Sequence, residues 1–277
     1  MNTDRRIALV GAGHMGSALA AGWLRGKSGL DPARLLVVDP NPDDSGKALV
    51  ADNALKHVAE IGPRMAKDIG LVVLAFKPQH FDAAAQQLTE ILPNDCAIVS
   101  IIAGVSLRQM QDVFGDRPLI RAMPNTPASI GKGITVAITS EAGETRKADA
   151  EKLLKVGGPV EWIDDERLMG AVTAVSGSGP AYVFLLAEAL AGAGFGEGLP
   201  RELADRLARE TIIGAAALLQ KTGDDPQTLR RAVTSPGGTT QAAIDVMMAG
   251  GGLPELMRRA INAAERRSRQ LGNGGGR

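Results

Sequence analysis

Thr234-Ser235-Pro236-Gly237-Gly238-Thr239-Thr240 sets four hydroxyls, two glycines and a proline ahead of Gln241-Ala242-Ala243-Ile244-Asp245-Val246-Met247. The second run has apolar residues at helical spacing. A helix N-terminus leaves backbone N–H groups unpaired and carries partial positive charge, so it favours an anion. Gly237 and Gly238 remove the side chains that would hold a small ligand away from those groups. An ordinary helix cap, with Ser235 or Thr239 ending the loop, accounts for the same residues.

A second loop of this kind stands near the start of the chain. Arg6-Ile7-Ala8-Leu9-Val10 reads as a buried strand, Gly11-Ala12-Gly13-His14-Met15-Gly16 follows without a gap, and 17–25 has helical composition. Strand, GxGxxG and helix in that order match the dinucleotide-binding fingerprint. Gly11 makes the tight turn, Gly13 admits the pyrophosphate, and Gly16 lets helix and strand pack closely. His14 is expected to point outward as a non-catalytic loop residue. The next strand, Leu35-Leu36-Val37-Val38, ends at Asp39, placed to take the adenosine ribose hydroxyls and to disfavour a 2′-phosphate. Taken alone this favours NAD over NADP. Asp39 could equally just open the Asp39-Pro40-Asn41-Pro42 turn.

The elements that must position these loops alternate. Residues 70–76 form a strand ending in Lys77-Pro78, and Pro78 cannot continue a central strand. Lys77 therefore falls at a carboxyl edge, where open α/β sheets bind ligands. Residues 97–102 end in Ala103-Gly104 at the same rim. Residues 119–123 lead into the rigid turn Pro124-Asn125-Thr126-Pro127. Residues 134–138 and 159–162 read as closing strands, and 45–68 as helical and turn material. This alternation gives an α/β doubly wound, mostly parallel sheet.

From Glu166 the pattern becomes helical: 168–194, 200–222, 226–233, 238–249 and 253–270. Within 171–193 the only charge is Glu188. A helix apolar nearly all round needs cover on several sides, and a partner subunit is the expected cover. Ser176-Gly177-Ser178-Gly179-Pro180-Ala181-Tyr182 interrupts this run. It is either a packing kink or another exposed helix start, with Ser178 as N-cap and Pro180 in the first turn. The expected domains are 1–165 and 166–277, with a glycine-rich tail at 272–277.

Composition narrows the partners. The 31 basic and 31 acidic residues cancel without segregating, which argues against nucleic acid or an anionic membrane. Aromatic residues are 3% of the chain, too few for a base-stacking surface. A lone cysteine, Cys96, excludes an internal disulfide framework and suits a reducing compartment. No leader or membrane-spanning stretch is expected, so the reading is cytoplasmic. No metal site is expected.

GAGHMG, AFKPQ, MPNTP, AVSGSGPAYVF and VTSPGGTTQAAI, in this order and spacing, resemble pyrroline-5-carboxylate reductases over Arg6 to about Gln270. The resemblance implies an N-terminal Rossmann domain followed by an all-α dimerisation domain. It implies reduction of L-1-pyrroline-5-carboxylate to L-proline with NADPH or NADH, in dimers or in decamers of five dimers. Gly11, Gly13, His14, Met15, Gly16, Ala75, Phe76, Lys77, Pro78, Ile102 and Ala103 would then lie along the cofactor, with Asn125 near its nicotinamide. Glu166, Thr173, Ser176 and the loop with Ser235, Gly237, Gly238, Thr239 and Thr240 would surround the substrate, the loop coming from the partner subunit. Ala232 and Gly170 depart from the family pattern, and no clear counterpart of a ribose-binding asparagine occurs around Gly62. These departures bear on cofactor contacts and not on the reacting atoms.

For that reaction, backbone N–H groups at 237–240 and Ser235 Oγ would hold the substrate carboxylate. Thr240 Oγ would hydrogen-bond the ring nitrogen and relay its proton. A cyclic iminium can take its proton from water, which suits a chain whose histidines, His14, His57 and His80, adjoin neither helical-domain loop in sequence. A β-hydroxyacid dehydrogenase would need a lysine in the long interdomain helix, and none occurs between Lys155 and Lys221. A non-catalytic dinucleotide sensor on the same fold is the other alternative.

Overall fold

The computed structural model describes residues 5–25 and 29–273. Of the glycine-rich tail, 274–277 lie outside the described residues. The chain divides into one unit reaching Gly177 and resuming at Glu265, and a second formed by Ser178–Ala264.

In the first unit, eight strands form one sheet among the described residues: β1 (Arg6–Val10), β2 (Leu35–Val38), β3 (Lys56–Val58), β4 (Ile69–Leu74), β5 (Ala97–Ser100), β6 (Leu119–Pro124), β7 (Thr135–Thr139) and β8 (Val160–Trp162). Their order is β3-β2-β1-β4-β5-β6-β7-β8. All pairings are parallel except β6 with β7, where Arg121 faces Ile138 across an antiparallel ladder. The four residues of β2 and the six of β4 are all buried, as continuous apolar runs covered on both faces should be.

Side chains alternate across this sheet. Ile7 and Leu9 join one core with Val37, Val73 and Val99, while Ala8 joins the other with Leu36, Val72 and Ile98. Helices α1 (His14–Leu24), α2 (Asp44–Asp52) and α6 (Lys147–Leu154) cover the first face through Leu19, Trp23, Leu49 and Leu153. Helices α3 (Pro63–Ala66), α4 (Phe81–Ile91) and α5 (Leu107–Phe114) cover the second through Ala66, Phe81, Leu88 and Met110. The chain therefore reverses direction across the sheet between β1 and β4, the switch point where ligands bind in such sheets.

Two local expectations need correction. Residues 45–68 hold a strand, β3, whose Lys56 and His57 are exposed. An edge strand with polar faces carries too little apolar alternation to read. The 168–194 run is not one helix: α7 (Met169–Val172) passes into a π turn (Thr173–Gly177) before α8 (Gly179–Gly196). Ser178 holds the N-cap position of α8 with Pro180 in its first turn, but makes no side-chain cap bond. Glu166–Gly196, although interrupted by the π turn, is long and apolar enough by composition alone to cross a membrane; a single run of this kind is weak evidence of a span, and its apolar faces suit subunit cover equally.

In the second unit, α8 packs along α9 (Arg201–Thr222), and α10 (Pro226–Ala232), α11 (Thr239–Met248) and the start of α12 (Leu253–Asn273) follow. Its fully buried hydrophobic residues are Ala191, Ala204 and Ala208. Phe184, Leu185, Phe195, Ile213, Val233 and Val246 are all more than half exposed. Apolar exposure on this scale marks an interaction surface.

Candidate active site

Within the first unit the fingerprint residues are fixed by packing. Gly11 has φ +94°, and a Cβ there would stand 2.8 Å from the Ala75 carbonyl and the Phe76 nitrogen. A Cβ on Gly16 would stand 2.5 Å from Gly11 O. Neither place admits a side chain. Gly13 differs, since its Cβ would meet only Asp43 Oδ2, 3.8 Å away. Its glycine leaves open space over the start of α1, where a pyrophosphate needs to reach the backbone. Gly13 is the N-cap of α1, with no side-chain cap and no acidic residue in the first turn. These residues fit a dinucleotide.

The loop is tied down by two contacts that sequence reasoning missed. Ser17, buried, donates its hydroxyl to Ala12 O (2.9 Å), and Ala12 N–H donates to Asp39 Oδ2 (2.7 Å). Asp39 Oδ1 accepts from Asn41 N–H (2.8 Å). Asp39 thus both opens its own turn and braces the fingerprint, and its carboxylate keeps lone pairs for a ribose hydroxyl. The signal available in sequence was Ser17 itself, a hydroxyl on the strand-facing side of a helix, which needs a partner when buried.

The rest of the rim comes from neighbouring strand ends. Ala75 N–H donates to Val10 O (2.8 Å), and β4 stops at Leu74, so Lys77 sits three residues past the strand, exposed. Ile102 is 3% exposed and packs in the core, so a cofactor could meet it only through its backbone, whereas Ala103 is exposed. Asn125 turns its carboxamide oxygen to Ile134 N–H (3.0 Å). This holds the MPNTP turn and leaves Nδ2 without a hydrogen bond among the described residues.

Glu166 opens a 3-10 turn in the first unit, and its Oε1 accepts from both Arg121 Nη1 (2.6 Å) and Leu107 N–H (2.7 Å). Arg121, from β6, is a partner that no motif announced. Thr173 and Ser176 lie on the π turn and donate to Met169 O (2.9 Å) and Val172 O (3.0 Å), each four residues back. Their hydroxyl oxygens keep acceptor capacity only. At Gly170 a Cβ would lie 3.1 Å from Glu265 Oε1, so a carboxylate of α12 stands beside that position.

In the second unit the SPGGTT loop is a tight turn that ends in a helix start. Gly238 N–H donates to Ser235 O (3.0 Å), Pro236 and Gly237 occupy the corner, and Gly237 has φ +71°. This is the signature of a type II turn, which needs glycine at its third place. The N-cap of α11 is Gly238, without a side-chain cap, so the expected caps Ser235 and Thr239 are corrected. A cap hydroxyl would occupy one of the first N–H donors; a glycine leaves them for a ligand. Gly237 has open space around it, Ser235 and Thr239 are exposed, and Thr240 is half-buried.

Residues 166–271 match the family model described as pyrroline-5-carboxylate reductase dimerisation, which accords with the exposed apolar helix faces and supports homo-oligomerisation. Residues 6–104 match the model described as NADP oxidoreductase, coenzyme F420-dependent. The chain is 40% identical to the pyrroline-5-carboxylate reductase of Pseudomonas aeruginosa, over 96% of both chains. The solved pyrroline-5-carboxylate reductase of Coxiella burnetii superposes with TM-score 0.88 at 32% identity, over 97% of this chain and 98% of that one. That of Plasmodium falciparum, solved with NADP bound, superposes with TM-score 0.82 at 26% identity, over 98% and 99%. With both glycine loops in place and the match running from end to end, the chain belongs to the pyrroline-5-carboxylate reductase family.

Proposed function

We propose that this protein reduces the C=N bond of L-1-pyrroline-5-carboxylate to give L-proline, the last step of proline synthesis, using NADH or NADPH. The observation that carries the reading is a pair of glycine-opened helix starts in a chain of this family, one at Gly13 and one at Gly238. When bound, the reduced nicotinamide supplies the hydride. The N–H groups at the start of α1 hold the pyrophosphate, Asp39 orients the adenosine ribose, and Ala75 to Pro78, Ile102, Ala103 and Asn125 line the cofactor.

At the other loop, the first N–H groups of α11 and Ser235 Oγ hold the substrate carboxylate through charge-assisted bonds, about twice as strong as neutral ones. Thr240 Oγ donates to the ring nitrogen and passes it a proton drawn from water. Thr173, Ser176 and Glu166 shape the ring's surroundings, Glu166 chiefly by holding Arg121. Orientation supplies much of the rate, since well-aligned reactants gain up to about 7–11 kcal/mol from it.

The helical part from Glu166 onward is the dimerisation and substrate-binding domain, and residues 1–165 the cofactor domain. The SPGGTT loop of one subunit serves the cofactor held by its partner, and five dimers form a decamer. The cytoplasm is the proposed location, supported by a single cysteine that is buried and free. Oxidation of NADH and NADPH, followed by absorbance with DL-pyrroline-5-carboxylate, tests the activity. Light scattering coupled to size exclusion tests the decamer, which a dimer's mass would rule out.

A further inference from the structure

The edge of the sheet opposite the fingerprint carries a cavity of about 20 Å³ lined by Arg5, Arg6, Arg34 and Arg146, with Asp149 as the one acidic residue in its wall among the described residues. Arg5 and Arg6 lead β1, Arg34 precedes β2, Arg146 precedes α6, and Gly70 in β4 completes the floor. A Cβ on Gly70 would stand 3.0 Å from Arg5 Cβ, so that glycine makes room for the arginine to lie across the strand ends. Of β1, Arg6 and Ile7 line the cavity and only Ala8, Leu9 and Val10 separate it from the fingerprint, roughly 13 Å at strand rise.

The guanidinium groups here are only partly matched. Arg5 uses Nη1 on Asp95 (2.7 Å) and Nη2 on Ile69 O (2.6 Å). Arg34 uses Nη2 on Arg5 O (2.9 Å), and Arg146 pairs with Asp149 (3.1 Å) and reaches Gly70 O (3.2 Å). Among the described residues, the Nε atoms of Arg5 and Arg34 are buried and without a partner, and the Arg6 guanidinium makes no hydrogen bond. Among the described residues, four cations thus face one carboxylate in the cavity wall, with a second, Asp95, engaged by Arg5 from outside it. Buried N–H donors left unmatched are costly, and in native proteins they point to a water or an ion. Guanidinium forks select oxyanions. The cavity is too small for a nucleotide or peptide.

We propose that this arginine cavity binds a phosphate-sized tetrahedral oxyanion, at a site separate from the reaction, and that the bound anion stabilises the amino edge of the sheet. A ligand that binds only the folded state raises its melting temperature by mass action. The test is thermal unfolding in sodium phosphate against sodium chloride at matched ionic strength, with NADH saturating so that the fingerprint is filled. The expected result is a saturating rise of a few degrees specific to phosphate, absent in Arg34→Gln and retained in Arg167→Gln, whose exposed side chain pairs with Asp165 elsewhere. Should Arg34→Gln fail to fold, Arg6→Gln serves instead, with phosphate affinity by calorimetry expected to fall at least tenfold. A rise equal to that in chloride, or one undiminished in the folded variant, overturns the proposal.

Discussion

Thr240 carries the sharpest claim at the level of single residues. It follows a glycine N-cap, half-buried, on a helix whose first turn has no side chain competing for its donors. Thr240→Val keeps the shape and removes the hydroxyl. It should lower kcat/KM by about 1–3 kcal/mol of transition-state stabilisation, the order of a lost bond to a charged group. An unchanged kcat/KM would take Thr240 out of the mechanism. Asp39 bears on cofactor choice: its carboxylate at the end of β2 accepts from Ala12 N–H and its charge would oppose a 2′-phosphate. Asp39→Asn keeps an acceptor for Ala12 N–H while removing charge. The ratio of kcat/KM for NADH over NADPH should fall about tenfold, on the order of 1.4 kcal/mol of relieved repulsion; no change in the ratio would show that Asp39 does not discriminate. The glycines of both loops were legible because each is demanded by backbone geometry that GxGxxG and SPGGTT encode. Arg121 and Ser17 were not, because a partner 45 or five residues away leaves no periodic trace.

At the level of elements, the sheet is held by groups remote from the chemistry. Arg117 is 9% exposed and donates to the carbonyls of Thr89, Leu92, Pro93 and Phe114, at 2.8 to 3.2 Å. It thereby closes the C-terminal ends of α4 and α5 together, where a cation is favoured. Arg117→Leu strands those carbonyls and should cost about 2–4 kcal/mol of stability, seen as a lower denaturant midpoint, with kcat/KM of the folded fraction unchanged. A midpoint within error of wild type would contradict this. Burial also pushes the Cys96 thiol up to about 12, from an ordinary 9.0. The fold therefore favours the neutral thiol: its contribution is whole below pH 9 and is lost as pH rises from about 9 toward 12, because the unfolded chain ionises first. Cys96→Ala should flatten the decline in melting temperature over that window, and an identical slope would count against it. Strand and helix types were readable wherever both faces of an element are buried. The π turn and the antiparallel β7 were not, since helical composition spans the first and nothing local sets the direction of the second.

At the level of the whole molecule, the second unit exposes Phe184, Leu185, Phe195 and Val246, more apolar surface than an isolated helical layer sustains. Its sequence announced this through the nearly uncharged run at 171–193. If the loop of one subunit completes its partner's site, two variants impaired at different loops should complement. Mixing Gly13→Val with Thr240→Val under conditions of subunit exchange leaves half the dimers mixed, each with one intact site, so activity should recover to roughly a quarter of wild type. Recovery no greater than the sum of the parents would place the loop in its own subunit's site. The central claim concerns the reaction, and one measurement meets it directly: NADH and NADPH oxidation by the purified, folded oligomer with DL-pyrroline-5-carboxylate. The account expects saturable turnover that yields proline and collapses in Thr240→Val. Absence of turnover with either cofactor, in protein that binds dinucleotide, would contradict it and leave a dinucleotide sensor on the same fold.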